Sequence, residues 1–147
     1  MRSTFVTLCL LIPIAGCGSS EQAQIKRDLF SISMLYHAFA ADTGAAPDDA
    51  ESLLGYADPN GGLPGNRANS EATKRALRSG DYTVYWGYDV AADKDRNGKT
   101  ILAFHRNTPE NGGLAAFADG LVQSLTADEF SSSAKASEFS SQRSRQP

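Results

Sequence analysis

The hydrophobic repeat changes length once along this chain, and that change limits the folds open to it. From Glu21 to Asp42, residues Ile25, Leu29, Ile32, Tyr36 and Phe39 recur at spacings of four, three, four and three. This is one stripe of a helix with 3.6 residues per turn. Phe30 and Met34 are expected to widen the stripe on one side. Gly44 fits a helix stop, and Pro47 lies just beyond it. From Tyr82 the period is two: Tyr82, Val84, Trp86, Tyr88 and Val90 share one face of an extended run, and Thr83, Tyr85, Gly87 and Asp89 the other. A second strand over Thr100 to His105 puts Leu102 and Phe104 on one face. Apolar runs at Leu114 to Ala118 and Leu121 to Leu125 flank Asp119-Gly120, a hairpin signal that predicts a type I′ turn with positive φ at both positions. Helix first and strands later predict an α+β fold: a long N-terminal helix packed on a small antiparallel C-terminal sheet.

Between the two halves, Asp48 followed three residues later by Glu51 predicts a capping box, with Leu53, Leu54 and Tyr56 for the short helix to bury. Residues 57–69 are rich in Gly, Pro and Asn and predict a loop. Ser70 to Arg78 predicts another short helix, ended by Gly80. Thr126-Ala127-Asp128-Glu129 is a further capping box, so a helical turn should follow the last strand. Residues 131–147 are dominated by serine and polar side chains, with Phe139 the one strong apolar residue. Such a segment buries too little to offset its ordering entropy and is expected to be disordered.

The chain opens Met1-Arg2-Ser3, followed by an apolar run from Phe5 to Ile14 and then Ala15-Gly16-Cys17. A charged start, a short apolar stretch and small residues before a cut site describe an export signal. The run is too short to cross a bilayer as a helix, which takes roughly 20 apolar residues. Ile14-Ala15-Gly16-Cys17 resembles the lipobox of bacterial lipoproteins. That resemblance implies cleavage before Cys17 and a diacylglycerol on its sulfur. The organisation expected is a signal peptide over residues 1–16, a domain over residues 17–130 and a Ser-rich tail over residues 131–147. The expected location is the cell envelope, anchored by lipid to a membrane facing the periplasm or at the cell surface. Gly18 stands where some bacteria place an inner-membrane-retaining Asp, which by the same resemblance favours the outer membrane.

The chain has two cysteines, Cys9 and Cys17. With Cys9 in the signal and Cys17 carrying lipid, the mature domain has no thiol for a disulfide, a nucleophile or a metal site. The formal net charge is −3 and no basic patch stands out, so nucleic-acid binding has no electrostatic support.

Leu35-Tyr36-His37-Ala38-Phe39, followed by Asp42, Gly44 and Pro47, resembles the opening of a pseudopilin-like family of unknown function, abundant in planctomycete bacteria and related to type II secretion and type IV pilins. Gly113 to Val122, with its Asp119-Gly120 pair, then Thr126 and Glu129-Phe130, is similar to that family's closing hairpin. The likeness runs over roughly residues 25–130. It implies a pilin-like head. Two departures stand out. Pro109, separated from the Asp-Gly pair by nine residues, stands where many relatives have a histidine. A lipobox also replaces the apolar transmembrane start that packs a pilus core. The resemblance therefore implies a pilin-like head on a lipid tether, a structural or interaction module meeting an unknown envelope protein.

Asp93, Asp95 and Asn97, ending on Gly98, match the first half of a D-x-D-x-N-G calcium loop, in which alternate side chains supply oxygen ligands. Position twelve of a full helix-loop-helix site is Phe104 rather than Glu, so an EF-hand is excluded. A hairpin-type calcium or small-ligand site over Asp89 to Gly98, recruiting Asp89 or Glu110, is the alternative to a plain turn. His37 and His105 are the only histidines. No G-x-S-x-G context or glycine-rich phosphate loop is present, and no enzymatic activity is expected. Tyr82, Tyr85, Trp86 and Tyr88 suit either a sugar-stacking face or the core.

Overall fold

A computed structural model describes residues 18–56, 67–92 and 94–139. Its first helix, α1, runs Gly18–Thr43, about 39 Å at 1.5 Å per residue. The 3.6-residue stripe faces inward: Leu29, Ile32 and Tyr36 have no exposed surface and Leu35 almost none. Ile25 and Phe39 pack at the two ends of the stripe. Gly44 closes the helix, its N–H bonding the Ala40 carbonyl at 3.0 Å. Phe30 and Met34 do not widen the stripe. They point outward, 52% and 44% exposed.

Helix α2 (Ala50–Tyr56) buries Leu53 and Leu54. Its cap is Asp49 rather than Asp48: Asp49 Oδ1 accepts from both the backbone N–H and the hydroxyl of Ser52, each at 2.8 Å. These two donors hold the Asp49 carboxyl below its usual range. The Tyr56 hydroxyl donates to Asp42 and so ties α2 to the end of α1. Most of the expected 57–69 loop lies outside the described residues. Its last part belongs to α3 (Arg67–Ser79), which packs on α1.

The sheet runs in the order β1-β2-β3-β4, with β1 Tyr82–Val84, β2 Thr100–His105, β3 Gly113–Phe117 and β4 Val122–Leu125. These four strands are antiparallel neighbours. A fifth, β5 (Ala134–Lys135), lies parallel to β2. The fold is α+β, as the change of period predicts.

The long period-two strand is cut short. Tyr82–Val84 pairs with β2 opposite residues 103–105, and the last bond to β2 is from the Tyr85 N–H to the Leu102 carbonyl at 2.9 Å. The edge of β2 that a longer β1 would need, at Thr100 and Ile101, pairs instead with Ala134 and Lys135. The segment expected to be a disordered tail supplies that pairing. Ala136 has no exposed surface and its N–H bonds the Ile101 carbonyl at 3.0 Å. Phe139 packs on Tyr88 and under Arg96. The domain therefore extends through residue 139. Two segments compete for one strand edge, and the later one takes it.

Leu102 and Phe104 also part company. The pairing steps from Ile101↔Phe117 to Ala103↔Ala116, which leaves Leu102 as an extra residue. Such a bulge shifts the alternation by one. Leu102 and Ala103 therefore join the core under α1, while Ile101 and Phe104 join a second cluster with Phe117 and Phe130. Phe130 belongs to α6 (Ala127–Ser132). β2 is thus buried on both faces, with α1 on one and α6 on the other. The capping box of α6 is present as expected: Thr126 accepts from the Glu129 N–H, and the Glu129 carboxylate accepts from the Thr126 N–H at 2.8 Å.

The hairpin between β3 and β4 forms where Asp119-Gly120 predicts it, with a different turn. Phe117 N–H bonds the Leu121 carbonyl at 2.8 Å and Gly120 N–H bonds the Phe117 carbonyl at 3.0 Å. The loop is therefore the three residues Ala118, Asp119 and Gly120. Gly120 has φ of +92° and Asp119 has no positive φ, the three-residue form with glycine closing a bulge.

Candidate functional site

Three places collect chemistry-bearing side chains. The first is a cleft of about 470 Å³ between the first half of α1, α3 and the β1–β2 edge. Glu21, Asp28, Arg75, Asp81, Tyr82 and His105 line it. The Tyr82 hydroxyl donates to Asp28 Oδ2 at 2.8 Å, and the Tyr82 ring meets His105 edge-on at 5.6 Å. Burial first, then the Asp28 carboxylate, raise the Tyr82 pKa above the phenol range, so Tyr82 stays a donor. Asp81 pairs with Arg106 at 3.3 Å on the exposed rim, a pair of little energetic weight. A smaller hollow of about 240 Å³ shares Glu21, Ile25 and His105 with the cleft. Both therefore border the first turns of α1, the end nearest Cys17. The wall of the cleft carries the carboxylates of Glu21, Asp28 and Asp81 together with the Arg75 guanidinium. Among the described residues, no group of His, Cys, Asp and Glu has the arrangement to hold a metal.

The second place is the crossing of α1 and the β3–β4 hairpin. Ser33 has no exposed surface, and Ser33 Oγ and His37 Nε2 make no hydrogen bond among the described residues. A methyl at Gly120 would stand 4.0 Å from both atoms. Ser33, His37 and Asp119 look like a nucleophile, base and orienting acid, but an Oγ with no surface meets no substrate and His37 does not bond it. The group acts as a seam. The histidine on the helix flank was not on the hydrophobic stripe, so its burial follows from the hairpin folding over it.

Burial lowers the His37 pKa, and the Ala118 carbonyl and the Asp119 charge oppose that shift. A base whose folded pKa lies below its unfolded value of 6.5 favours the neutral form in the native state. Between those two values the unfolded chain binds more protons, so stability is full above pH 6.5 and falls as pH drops through the window below it. Chemical melts at pH 7.5 and 5.5 should show this loss, and His37→Gln should flatten it. An equal pH slope in the two proteins would remove His37 as its source.

The third place is the segment from Asp89 to Gly98. It is no turn between strands: α4 (Lys94–Asn97) is a single helical turn, so alternate side chains do not converge. Asn97 is buried. Its Nδ2 donates to the Val90 carbonyl at 2.7 Å, and its Oδ1 accepts from the Tyr88 hydroxyl at 3.0 Å. Asp89 Oδ1 accepts from the Ala91 N–H at 3.0 Å. Asp95 faces solvent, and Asp93 lies outside the described residues. The carboxamide expected as a calcium ligand is thus employed in closing the loop. The sugar-stacking face also dissolves into separate pairs: Trp86 stacks on Tyr36, Tyr85 meets Phe104 and Tyr88 meets Phe139. His37 and His105 occupy separate places, the seam and the cleft.

Cys17, the expected lipid attachment, lies outside the described residues, one position before α1. No described helix is long and apolar enough to cross a membrane. Compared with protein-family models, curated proteins and solved structures, the chain matches none.

Proposed function

We propose that this protein is a lipid-anchored component of the bacterial envelope. Its pilin-like head, a long helix laid on a small antiparallel sheet, acts as a structural or interaction module. The observation that carries the reading is adjacency: the lipobox cysteine, Cys17, immediately precedes α1, which starts at Gly18 and continues into the core. A lipid on Cys17 would thus hold the head through a helix, with no intervening linker of known structure. The cleft and its smaller neighbour border that same end and present polar walls to an envelope partner. Two or more acyl chains anchor a protein stably where one does not, so diacylglycerol on Cys17 fixes the protein at a membrane surface.

The test begins with intact mass after expression in a lipoprotein-processing host. The expected product starts at Cys17 and carries diacylglycerol. Cys17→Ser is expected to accumulate as an unprocessed or released form. A Cys17→Ser protein that still sediments with membranes at mature length would overturn the anchor. For the interaction role, a photo-crosslinking residue at Arg75 in intact cells should trap one discrete envelope protein. Labelling no heavier species would count against a cleft-borne partner.

A further inference from the structure

The large hydrophobic side chains left exposed among the described residues are Phe30, Met34 and Leu121, at 52%, 44% and 57%. Phe30 and Met34 are one helical turn apart on α1. Leu121 follows Gly120, whose added methyl would stand 4.0 Å from Ser33 and His37. On a helix, residues 33 and 37 neighbour 30 and 34. Leu121 itself stands opposite Phe117 and next in alternation to Val122, which packs in the core under α1, so it falls on the α6 face of the sheet, and the apolar patch on the α1 side is Phe30 and Met34.

The charges sort around them. At 100° per residue, Ala23, Lys26, Arg27, Phe30, Met34 and Ala41 fall on one side of α1, and all six are exposed. No carboxylate shares that side. Glu21 and Asp28 line the cleft with α3, and Asp42 is bonded to Tyr56. Asp119 on the hairpin is exposed, with its Oδ1 accepting from the Leu121 N–H at 3.0 Å and its Oδ2 lying against Gly98. An apolar strip flanked by two cations is the pattern that rests in the headgroup layer of an anionic bilayer. A second copy of the chain is a poorer occupant, because a parallel two-fold contact would set Lys26 and Arg27 against the same cations, and an antiparallel one offers them no carboxylate on that side of α1.

We infer that α1 lies along the membrane, with Phe30 and Met34 seated at the lipid surface and Lys26 and Arg27 over its phosphates. This rests on the anchor proposed above. Phe30 is thirteen residues from Cys17, about 20 Å along the helix. An upright helix would hold the patch that far out in water, whereas a recumbent one brings lipid and patch into one plane. The anchor makes this contact intramolecular, so even a weak patch sets the orientation.

The mature lipidated protein has no free thiol, so single cysteines can be labelled. Met34→Cys and, on the far side of the sheet, Asp128→Cys would each carry an environment-sensitive fluorophore. Each protein is placed in phosphatidylcholine–phosphatidylglycerol vesicles containing chain-brominated lipid. Quenching at position 34 should exceed that at 128 by about threefold or more. It should weaken in pure phosphatidylcholine, and also in the Lys26→Glu/Arg27→Glu variant. Equal quenching at the two positions would overturn the inference, as would probe–probe contact between copies at position 34 without quenching. Intact mass and vesicle flotation on the same samples report the anchor separately. Protein that floats and carries diacylglycerol but fails the quenching test refutes the orientation alone. Protein that lacks lipid refutes the anchor.

Discussion

Tyr36→Phe should cost about 2–4 kcal/mol, although it deletes one oxygen atom. The Tyr36 ring has no exposed surface. Its hydroxyl donates to the Tyr88 carbonyl at 3.0 Å and accepts from the Tyr88 N–H at 2.9 Å. A side chain of α1 thus satisfies both backbone groups of a residue that strand pairing leaves out, since the edge of β2 beyond Tyr85 is held by β5. Burial raises the Tyr36 pKa above the phenol range, which keeps the donating proton in place. Phenylalanine leaves both Tyr88 groups buried and unpaired, at about 1–3 kcal/mol each with partial relaxation. Denaturant melts of Tyr36→Phe against wild type would measure this. Tyr56→Phe, whose hydroxyl sits near the surface, is the control and should lose less than about 1 kcal/mol. A Tyr36→Phe protein within about 0.5 kcal/mol of wild type, the range of a neutral surface change, would show that this hydroxyl does not hold the segment.

A comparable loss, about 3–5 kcal/mol, is expected for Gly112→Ala. Gly112 ends α5 (Thr108–Asn111) with φ 71° and ψ 172°, a region open essentially to glycine and costing other residues about 1–3 kcal/mol. A methyl there would stand 2.7 Å from the Leu125 carbonyl oxygen and 3.1 Å from Thr126 Cα. Both are backbone atoms where β4 runs into the α6 cap, so relief requires moving the strand end, and overpacking adds about 1–3 kcal/mol. Gly55→Ala provides the contrast. Gly55 lies in α2 with nothing within 4 Å of its added methyl, so it should stabilise by about 0.4–1 kcal/mol. If both variants melt together, the Gly112 strain is absent.

What the sequence determined by itself was local. The stripe from Ile25 to Phe39 defines α1 because burial at 3.6-residue spacing needs no partner to be specified. The Thr126–Glu129 box and the Asp119-Gly120 hairpin follow from side chains bonding their own neighbourhood, where a few residues carry the whole signal. Tertiary structure decided everything that depended on competition between distant segments. Ala134 to Ala136 hold the edge of β2 that residues 86–90 would need, so a polar tail became sheet and an alternating run became loop. One extra residue, Leu102, sent Phe104 to the other face. For the candidate sites the same rule holds. Asn97 lay in a ligand-like spacing, yet its carboxamide is claimed by Val90 and Tyr88. His37 was a lone histidine until the hairpin closed over it. Phe30 and Met34 had the chemistry of core residues, and only the choice of which side of α1 meets the sheet left them facing out. Hydrophobic spacing says which residues can share a face, while the partner that arrives decides which face is buried.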